Sequence, residues 1–372
     1  AMSEQSLRLA VQQRIFPVYR TAFFETLASH CENGFSLFAG QPRKGEPVEL
    51  QSTLTNGTLV NAANLHFFSG SYYLLWQRGL LEWLVSFNPD ALIMEANPRY
   101  LSSPSALRYM HNRKKPVIGW GLGAPQSKGW RAKSWMAFLN TFDALIAYSK
   151  RGAEEYASLG FNPERIFVAP NAVTMRPTSP PPERPDNLES GKPIVLYVGR
   201  LQPRKRVDML IRACASFAPK LQPQLWIVGD GPSRLELEAL ANSLLPSTRF
   251  WGAVYDQELD KYFKAADLFV LPGTGGLAVQ QAMSFGLPVI VAEADGTQKD
   301  LVTADNGWII PSGDLAALTN TLEIAINNIP KLRKMGSVSF DLVSHVNVEG
   351  MAETFLRAVR TALTDYAAED IA

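Results

Sequence analysis

Asp267-Leu-Phe-Val-Leu-Pro-Gly-Thr-Gly-Gly-Leu-Ala-Val-Gln-Gln-Ala-Met283 runs from an apolar stretch through a glycine-rich turn into a helix-like pattern, and no charged residue occurs from Leu268 to Ala292. A short uncharged run bounded by breakers is what a strand buried on both faces looks like, and such strands belong to parallel sheets with helices on either side. Glycines at the strand-to-helix turn let a ligand approach the backbone closely. The first-turn N–H groups of the helix have no partner within the helix, so together with the helix dipole they favour a phosphate.

Outward from this stretch the same alternation covers the chain. On the C-terminal side of residue 193 it predicts strands at Ile194–Val198, Leu225–Val228, Arg249–Phe250, Leu268–Leu271, Pro288–Val291 and Trp308–Ile310, with helices from Val207, Ser233 and Leu277. On the N-terminal side it predicts strands at Leu7–Val11, Ala91–Met94, Pro116–Ile118, Ala144–Ala147 and Arg165–Val168, with helices at Ala22–Ser29 and Arg151–Leu159. Thr178-Ser-Pro-Pro-Pro-Glu-Arg-Pro-Asp186 is too rich in proline for either element and reads as a linker. The expected fold class is therefore α/β: two doubly wound parallel-sheet domains, residues 1–173 and 193–349, joined by 174–192. A cleft between the carboxyl ends of the two sheets is expected to take the ligand. A C-terminal helix at about 350–372 is expected to pack back on the first domain.

The composition excludes several classes. The chain has 372 residues, 46% of them hydrophobic, enough for two cores. Its 36 basic and 35 acidic residues leave a formal net charge of +1, so no global field favours nucleic acid. The four histidines show no metal-ligand spacing, and no metal or cofactor is expected. Cys214 shares an apolar helix face with Leu210, Ile211 and Phe217, which reads as a packing thiol. The first residues lack the basic and apolar regions of a signal peptide and no run is long enough to span a bilayer, so a cytoplasmic location is the expectation.

Candidate site residues follow from the strand ends. Gly199-Arg-Leu-Gln-Pro-Arg-Lys-Arg206 leaves Ile194–Val198 and places four cations at the sheet edge. With the glycine turn it makes a two-sided grip: Arg200 and Lys205 on one side of a diphosphate, the amides of Gly275, Gly276 and Leu277 on the other, with Thr274 also on the donor side. Gln281, more than a helical turn along, either bonds a ribose or sugar hydroxyl or fills polar space. In the first domain Glu95-Ala-Asn-Pro-Arg99 follows a buried strand, making Glu95 a candidate to hold a hydroxyl or act as a base, beside Asn97 and Arg99. Tyr19 and Arg20, after the first strand, are expected on the acceptor side. So is Gly121, in Gly119-Trp-Gly-Leu-Gly123, where either close ligand approach or a tight turn explains the glycines. Lys128-Gly-Trp-Arg-Ala-Lys-Ser-Trp-Met-Ala-Phe138 interleaves bases and aromatics. It reads either as a membrane-surface helix or, the favoured reading, as an amphipathic helix with Trp135 and Phe138 in the core.

As an ensemble these blocks resemble the GT-B glycosyltransferases of the large retaining group known as family 4. Gly199-Arg-Leu-Gln-Pro-Arg-Lys205 is similar to its G-R-L-x-x-x-K segment, and Leu225-Trp-Ile-Val-Gly-Asp-Gly-Pro232 to its V-G-D-G-P turn. Phe250-Trp-Gly-Ala-Val254 resembles the strand end that meets the base, which marks Gly199 and Val254 as donor contacts. Ala266-Asp-Leu-Phe-Val-Leu-Pro272, Gln281-Ala-Met-Ser-Phe-Gly-Leu-Pro-Val-Ile290 and Pro170-Asn-Ala-Val173 resemble three further blocks. The resemblance covers about residues 144–320. It implies a metal-independent hexosyl transfer from a nucleotide-sugar, UDP-glucose by default and a GDP-sugar as nearest variant, with retention. The implied acceptor is a glycan or lipid-linked glycan in surface polysaccharide assembly, with Arg200, Lys205 and Glu95 as the catalytic set and peripheral contact with the inner membrane face.

The departures are equally specific. The two glutamates that relatives carry eight positions apart correspond here to Gly273 and Gln281, and Gly119–Gly123 lacks the histidine of many relatives. A non-catalytic nucleotide-sugar-binding or scaffold subunit is therefore the rival expectation.

Overall fold

The computed structural model describes residues 6–44, 46, 48–125, 129–181, 183, 191–254, 257–294 and 298–369. It divides into two compact units: residues up to Met175 together with those from Val348 onward, and Arg176–Asn347. Of the proline-rich stretch 178–186, residues 182 and 184–186 lie outside the described residues.

The first unit holds eight strands: β1 (Arg8–Ile15), β2 (Gly34–Gly40), β3 (Thr58–Phe67), β4 (Leu74–Arg78), β5 (Ala91–Glu95), β6 (Val117–Gly121), β7 (Ala144–Ala147) and β8 (Ile166–Val168). Their order in the sheet is β4-β3-β2-β1-β5-β6-β7-β8. The central runs read from the sequence are buried, as in Leu9, Ala10 and Val11 of β1 and Ala91 to Met94 of β5, all fully inaccessible. The expectation of wholly parallel sheets needs one correction: β3 and β4 are antiparallel. Their connection holds only a short turn at Gly70–Tyr72, and a parallel pair needs a crossover of a dozen or more residues. The helix Val348–Glu369 completes this unit, its Phe355 ring 4.8 Å from both Trp120 and Phe23.

The second unit holds β9 (Ile194–Val198), β10 (Gln224–Val228), β11 (Arg249–Phe250), β12 (Leu268–Leu271), β13 (Val289–Ala292) and β14 (Gly307–Ile310). Their order is β11-β10-β9-β12-β13-β14 and every pairing is parallel. β12 lies between β9 and β13 and its side chains are buried on both faces of the sheet, which accounts for its lack of charge. At the foot of β12 the buried Asp267 carboxylate accepts from the Ile194 N–H at 2.8 Å and from Arg333 at 2.8 Å, fixing β12 to its neighbour. The chain runs outward from β9 to β10 and β11, then returns to the other side of β9 as β12. That reversal makes a crevice at the carboxyl ends of β9 and β12, where ligands of open α/β sheets bind.

Cys31 and Cys214 are both buried, and burial pushes each thiol up to about 12, leaving them as unreactive packing groups.

Candidate functional site

The crevice brings the glycine turn against the basic loop through direct bonds. Lys205 Nζ donates to the Thr274 carbonyl at 2.6 Å, and Arg204 Nη1 donates to Thr274 Oγ1 at 3.1 Å. The Thr274 N–H donates to the Arg204 carbonyl at 3.1 Å. Arg204 is itself braced by Gln202 Oε1 at 3.0 Å. The turn ends at Gly276, the N-cap of helix Leu277–Ser284, which no side chain caps. An added Cβ on Gly276 would meet nothing within 4 Å, so open space lies beside the helix start.

Arg200 is exposed at the rim of a neighbouring pocket of about 730 Å³, walled by Gly199, the Gly229–Pro232 turn, Ala253 and Val254. The loops are interlocked by backbone. Leu201 N–H donates to the Asp230 carbonyl at 2.9 Å, and a Cβ on Gly229 would stand 1.9 Å from the Gly199 carbonyl oxygen. Arg206, the fourth cation of the loop, is turned aside to Asp208 at 3.3 Å. Thus Gly199, Arg200 and Val254 share the pocket, while Lys205, Thr274 and Gly275 meet at the turn with Gly276 and Leu277 next in chain. Gln281 is half-buried one turn farther on, and its side-chain amide has no hydrogen bond among the described residues.

Gly273, at the position of the relatives' first glutamate, has no room for any side chain. A Cβ there would stand 2.3 Å from the Arg204 carbonyl oxygen and 2.5 Å from the Lys205 carbonyl carbon. The basic loop occupies the space a side chain would need. Arg204 is the functional candidate that sequence reasoning left without a role. Its signal was there, adjacent to Lys205, but only the fold shows that its guanidinium reaches the turn.

Burial, with Arg204 alongside, holds the Lys205 ammonium down at about 8. A bound diphosphate favours the charged form, so affinity for it is expected to be level below pH 8. Above that it should fall by up to about tenfold per pH unit, as the free protein sheds the proton that the complex needs. Titration calorimetry with a nucleoside diphosphate from pH 6.5 to 9.5 measures this, and Lys205→Met is expected to flatten the profile.

The first-unit candidates are mostly held by their own unit. Glu95 Oε1 accepts from the Arg14 N–H at 3.0 Å, and burial together with the Glu95 charge raises the neighbouring Tyr100 well above the usual phenol value. Arg14 forms a two-pronged pair with Glu46 at 2.7 and 2.8 Å, which pulls the Glu46 carboxyl down to about 2. Arg20, expected on the acceptor side, is 7% exposed, packed 4.5 Å from the Trp120 ring centroid and donating to Tyr148 Oη at 3.1 Å. Tyr19 is 44% exposed. Asn97 Oδ1 accepts from the Arg99 N–H at 3.0 Å, closing a local turn, and Arg99 is exposed. The expectation for Gly121 is corrected. The side where a Cβ would go is filled by the Tyr156 hydroxyl at 2.5 Å, and a Cβ on Gly123 would strike the helix Lys150–Ser158 at Gly152, 2.9 Å away. These glycines serve strand–helix packing. In the helix Trp130–Leu139, Trp135 and Phe138 lie half-buried against the core instead of within it, Leu139 is buried, and Trp130 is 75% exposed.

Known proteins resemble this chain in sequence and in fold. Residues 181–339 match the protein family described as Glycosyl transferases group 1, and the second unit is of that type. A GDP-mannose-dependent alpha-mannosyltransferase of Mycobacterium tuberculosis (strain CDC 1551 / Oshkosh) is 40% identical over 179 residues, covering 47% of this chain and 42% of the relative. The chain spans about half the length of the first curated relatives it matches. Among solved structures, the lipopolysaccharide outer core galactosyltransferase WaaB in its apo form superposes with a TM-score of 0.68 at 20% identity. That likeness covers 95% of this chain and 99% of that one. Anabaena Alr3699/HepE in complex with UDP-glucose gives a TM-score of 0.61 at 15% identity, over 98% and 99% of the two chains. The fold is GT-B: two Rossmann-like units.

Proposed function

We propose that this chain is a glycosyltransferase that moves a hexosyl group from a nucleoside diphosphate hexose to a hydroxyl of a glycan or lipid-linked glycan, with retention and without a metal. The observation that carries the reading is the clasp of Lys205 and Arg204 on the Thr274–Gly275 turn, beside an uncapped helix start and the Arg200-rimmed pocket. In the transfer the bond between the anomeric carbon and the diphosphate oxygen breaks. The acceptor oxygen bonds to that carbon from the same face, and its proton passes to the departing phosphate oxygen. The demand on the protein is to stabilise the negative charge growing on the diphosphate. Arg200, Lys205 and the amides at Gly275 to Leu277 are the groups we assign to meet it.

GDP-mannose displaces UDP-glucose as the first donor to try, because the mycobacterial relative is named for it; UDP-glucose comes second. A purely binding role is the weaker reading, since the groups that answer the leaving charge are retained even though the glutamates are not. A panel of nucleotide-sugars read by thermal shift and by nucleoside diphosphate release, with and without EDTA, tests the proposal. At a hundred times its dissociation constant the matched donor should stabilise by about 2.7 kcal/mol, or ~5–11 °C for a unit of this size. Release of the diphosphate should be unchanged by EDTA. A panel in which no donor moves the melt or yields diphosphate would refute it.

A further inference from the structure

The sheet of the first unit has a reversal of its own: the chain leaves β1 for β2 on one side and returns as β5 on the other. The carboxyl ends of β1 and β5 therefore flank a second crevice of the kind that takes ligands in open α/β sheets. Arg20 lies just past β1 and is 7% exposed, yet among the described residues no carboxylate pairs with it. Its Nη2 donates to Tyr148 Oη at 3.1 Å, while its Nη1 is buried and has no acceptor there. The Trp120 ring it packs on is 1% exposed, and the Trp120 Nε1 is likewise buried without an acceptor. Tyr148 completes the set. Burial pushes its phenol up to about 12, with Arg20 opposing, so the proton stays on. That proton goes to no acceptor among the described residues, since the oxygen itself accepts from Arg20.

Three donors thus meet with no acceptor among them. An orphaned buried donor carries its full desolvation penalty, and native proteins keep few. The rings around Arg20 offset its charge through their faces, but a ring face offers no lone pair to Nη1 or to the Trp120 N–H. Glu95, the β5 neighbour of Trp120 in register, does not fill the gap: its Oε1 is taken by the Arg14 N–H at 3.0 Å. The helix Thr21–Ser29, whose N-cap is Arg20, starts here with no side-chain cap and no acidic residue in its first turn. Its dipole adds to the same sign.

We propose that Arg20, Trp120 and Tyr148 form an oxyanion site, and that the acceptor brings the oxyanion: a phosphate or carboxylate carried close to the hydroxyl that receives the sugar. Glu95 is the group assigned to that hydroxyl. The anion enters past Tyr19, which is 44% exposed with its ring 5.7 Å from the guanidinium. One cation and two neutral donors suit a charged oxygen pair and select against an uncharged sugar, whose hydroxyl leaves the guanidinium unanswered. The naming of the acceptor rests on the proposed function; the oxyanion site itself does not.

The test follows the Trp120 indole N–H of the full chain by proton–nitrogen correlation NMR, its resonance identified with Trp120→Phe. The parent carries Arg200→Ala and Lys205→Ala, so that the donor grip does not take the probe. Inorganic phosphate is expected to move the resonance saturably, and chloride at equal ionic strength to leave it in place. Arg20→Met should weaken the response by about tenfold or more, the loss of a charged partner. Tyr148→Phe should weaken it several-fold, and it carries the test if Arg20→Met does not fold. Glucose phosphate and glucuronate separate the two sources of the anion, with glucose as the neutral control. The proposal is overturned if phosphate leaves Trp120 unmoved, if both variants respond as the parent does, or if glucose matches the two acids. It is also overturned if Arg20→Met in the wild-type background abolishes nucleoside diphosphate binding, since the group then serves the donor. A wild type that binds no nucleotide-sugar but keeps the Trp120 response loses the donor reading and keeps the oxyanion site.

Discussion

Arg200→Ala combined with Lys205→Ala is expected to weaken nucleotide-sugar binding at least a hundredfold while leaving the fold in place. On the proposed reading each cation makes one charge-assisted hydrogen bond to the diphosphate, worth about 1.5–3 kcal/mol. Two such losses amount to ~3–6 kcal/mol, or a factor of roughly 10²–10⁴. Stability should change little. Arg200 is exposed, and Lys205 is a part-buried ammonium whose desolvation already offsets much of its bond to Thr274. Arg204→Ala separates positioning from contact. It frees the Thr274 hydroxyl and loosens the turn, so the affinity loss should be smaller, about tenfold, and accompanied by faster amide exchange at 274–276. Titration calorimetry with the matched donor and a thermal melt decide the matter. A double variant that binds the donor like the wild type would remove the basis of the proposed function.

Gly273→Glu is expected to destabilise the second unit and abolish donor binding instead of restoring a lost carboxylate. With the Arg204 carbonyl 2.3 Å from the would-be Cβ and the Lys205 backbone on its other side, the atoms that must move are main chain and cannot swing away. Forced overpacking costs about 1–3 kcal/mol. That is ~2–12 °C in melting temperature for a unit of this size. The displaced segment is also the one that holds the two cations. Gly276→Ala is the control, since its added methyl meets open space, and a much milder effect is expected. If Gly273→Glu keeps the wild-type melt and gains donor affinity, the occupied-space account of this position is wrong.

The two predictions mark where sequence reasoning succeeded and where it ran out. Strands such as Leu268–Leu271 and Ala144–Ala147 were legible because a strand enclosed on both faces leaves a run of apolar residues between breakers. β2, β3 and β4 were not recognised. β3 alternates exposed and half-buried positions with small and polar residues such as Asn61, Ala63 and Asn64, and β4 carries Trp76 outward, so neither gives the enclosed pattern. At the site, a phosphate-facing turn and a basic loop could be read from composition and order. Their physical contact could not, because Arg204 and Thr274 are 70 residues apart and meet only through the adjacency of β9 and β12. Gly119–Gly123 misled for the converse reason. Glycine reports close approach without saying what approaches, and here it is Tyr156 and the helix Lys150–Ser158.

The path of the chain has a consequence for biosynthesis. In the sequence, residues Arg176–Asn347 form a unit inserted between the two segments of the other, whose Val348 N–H bonds the Thr174 carbonyl at 2.9 Å. On the ribosome the usual order of completion is therefore inverted: the later-made unit can close first, while the earlier one waits for Met351, Phe355 and Val359 to emerge. Until then Phe23 and Trp120 lack the ring that finally covers them. The nascent chain carries that sticky surface until the helix Val348–Glu369 appears, which makes that interval the one in which chaperone capture, or aggregation, is decided.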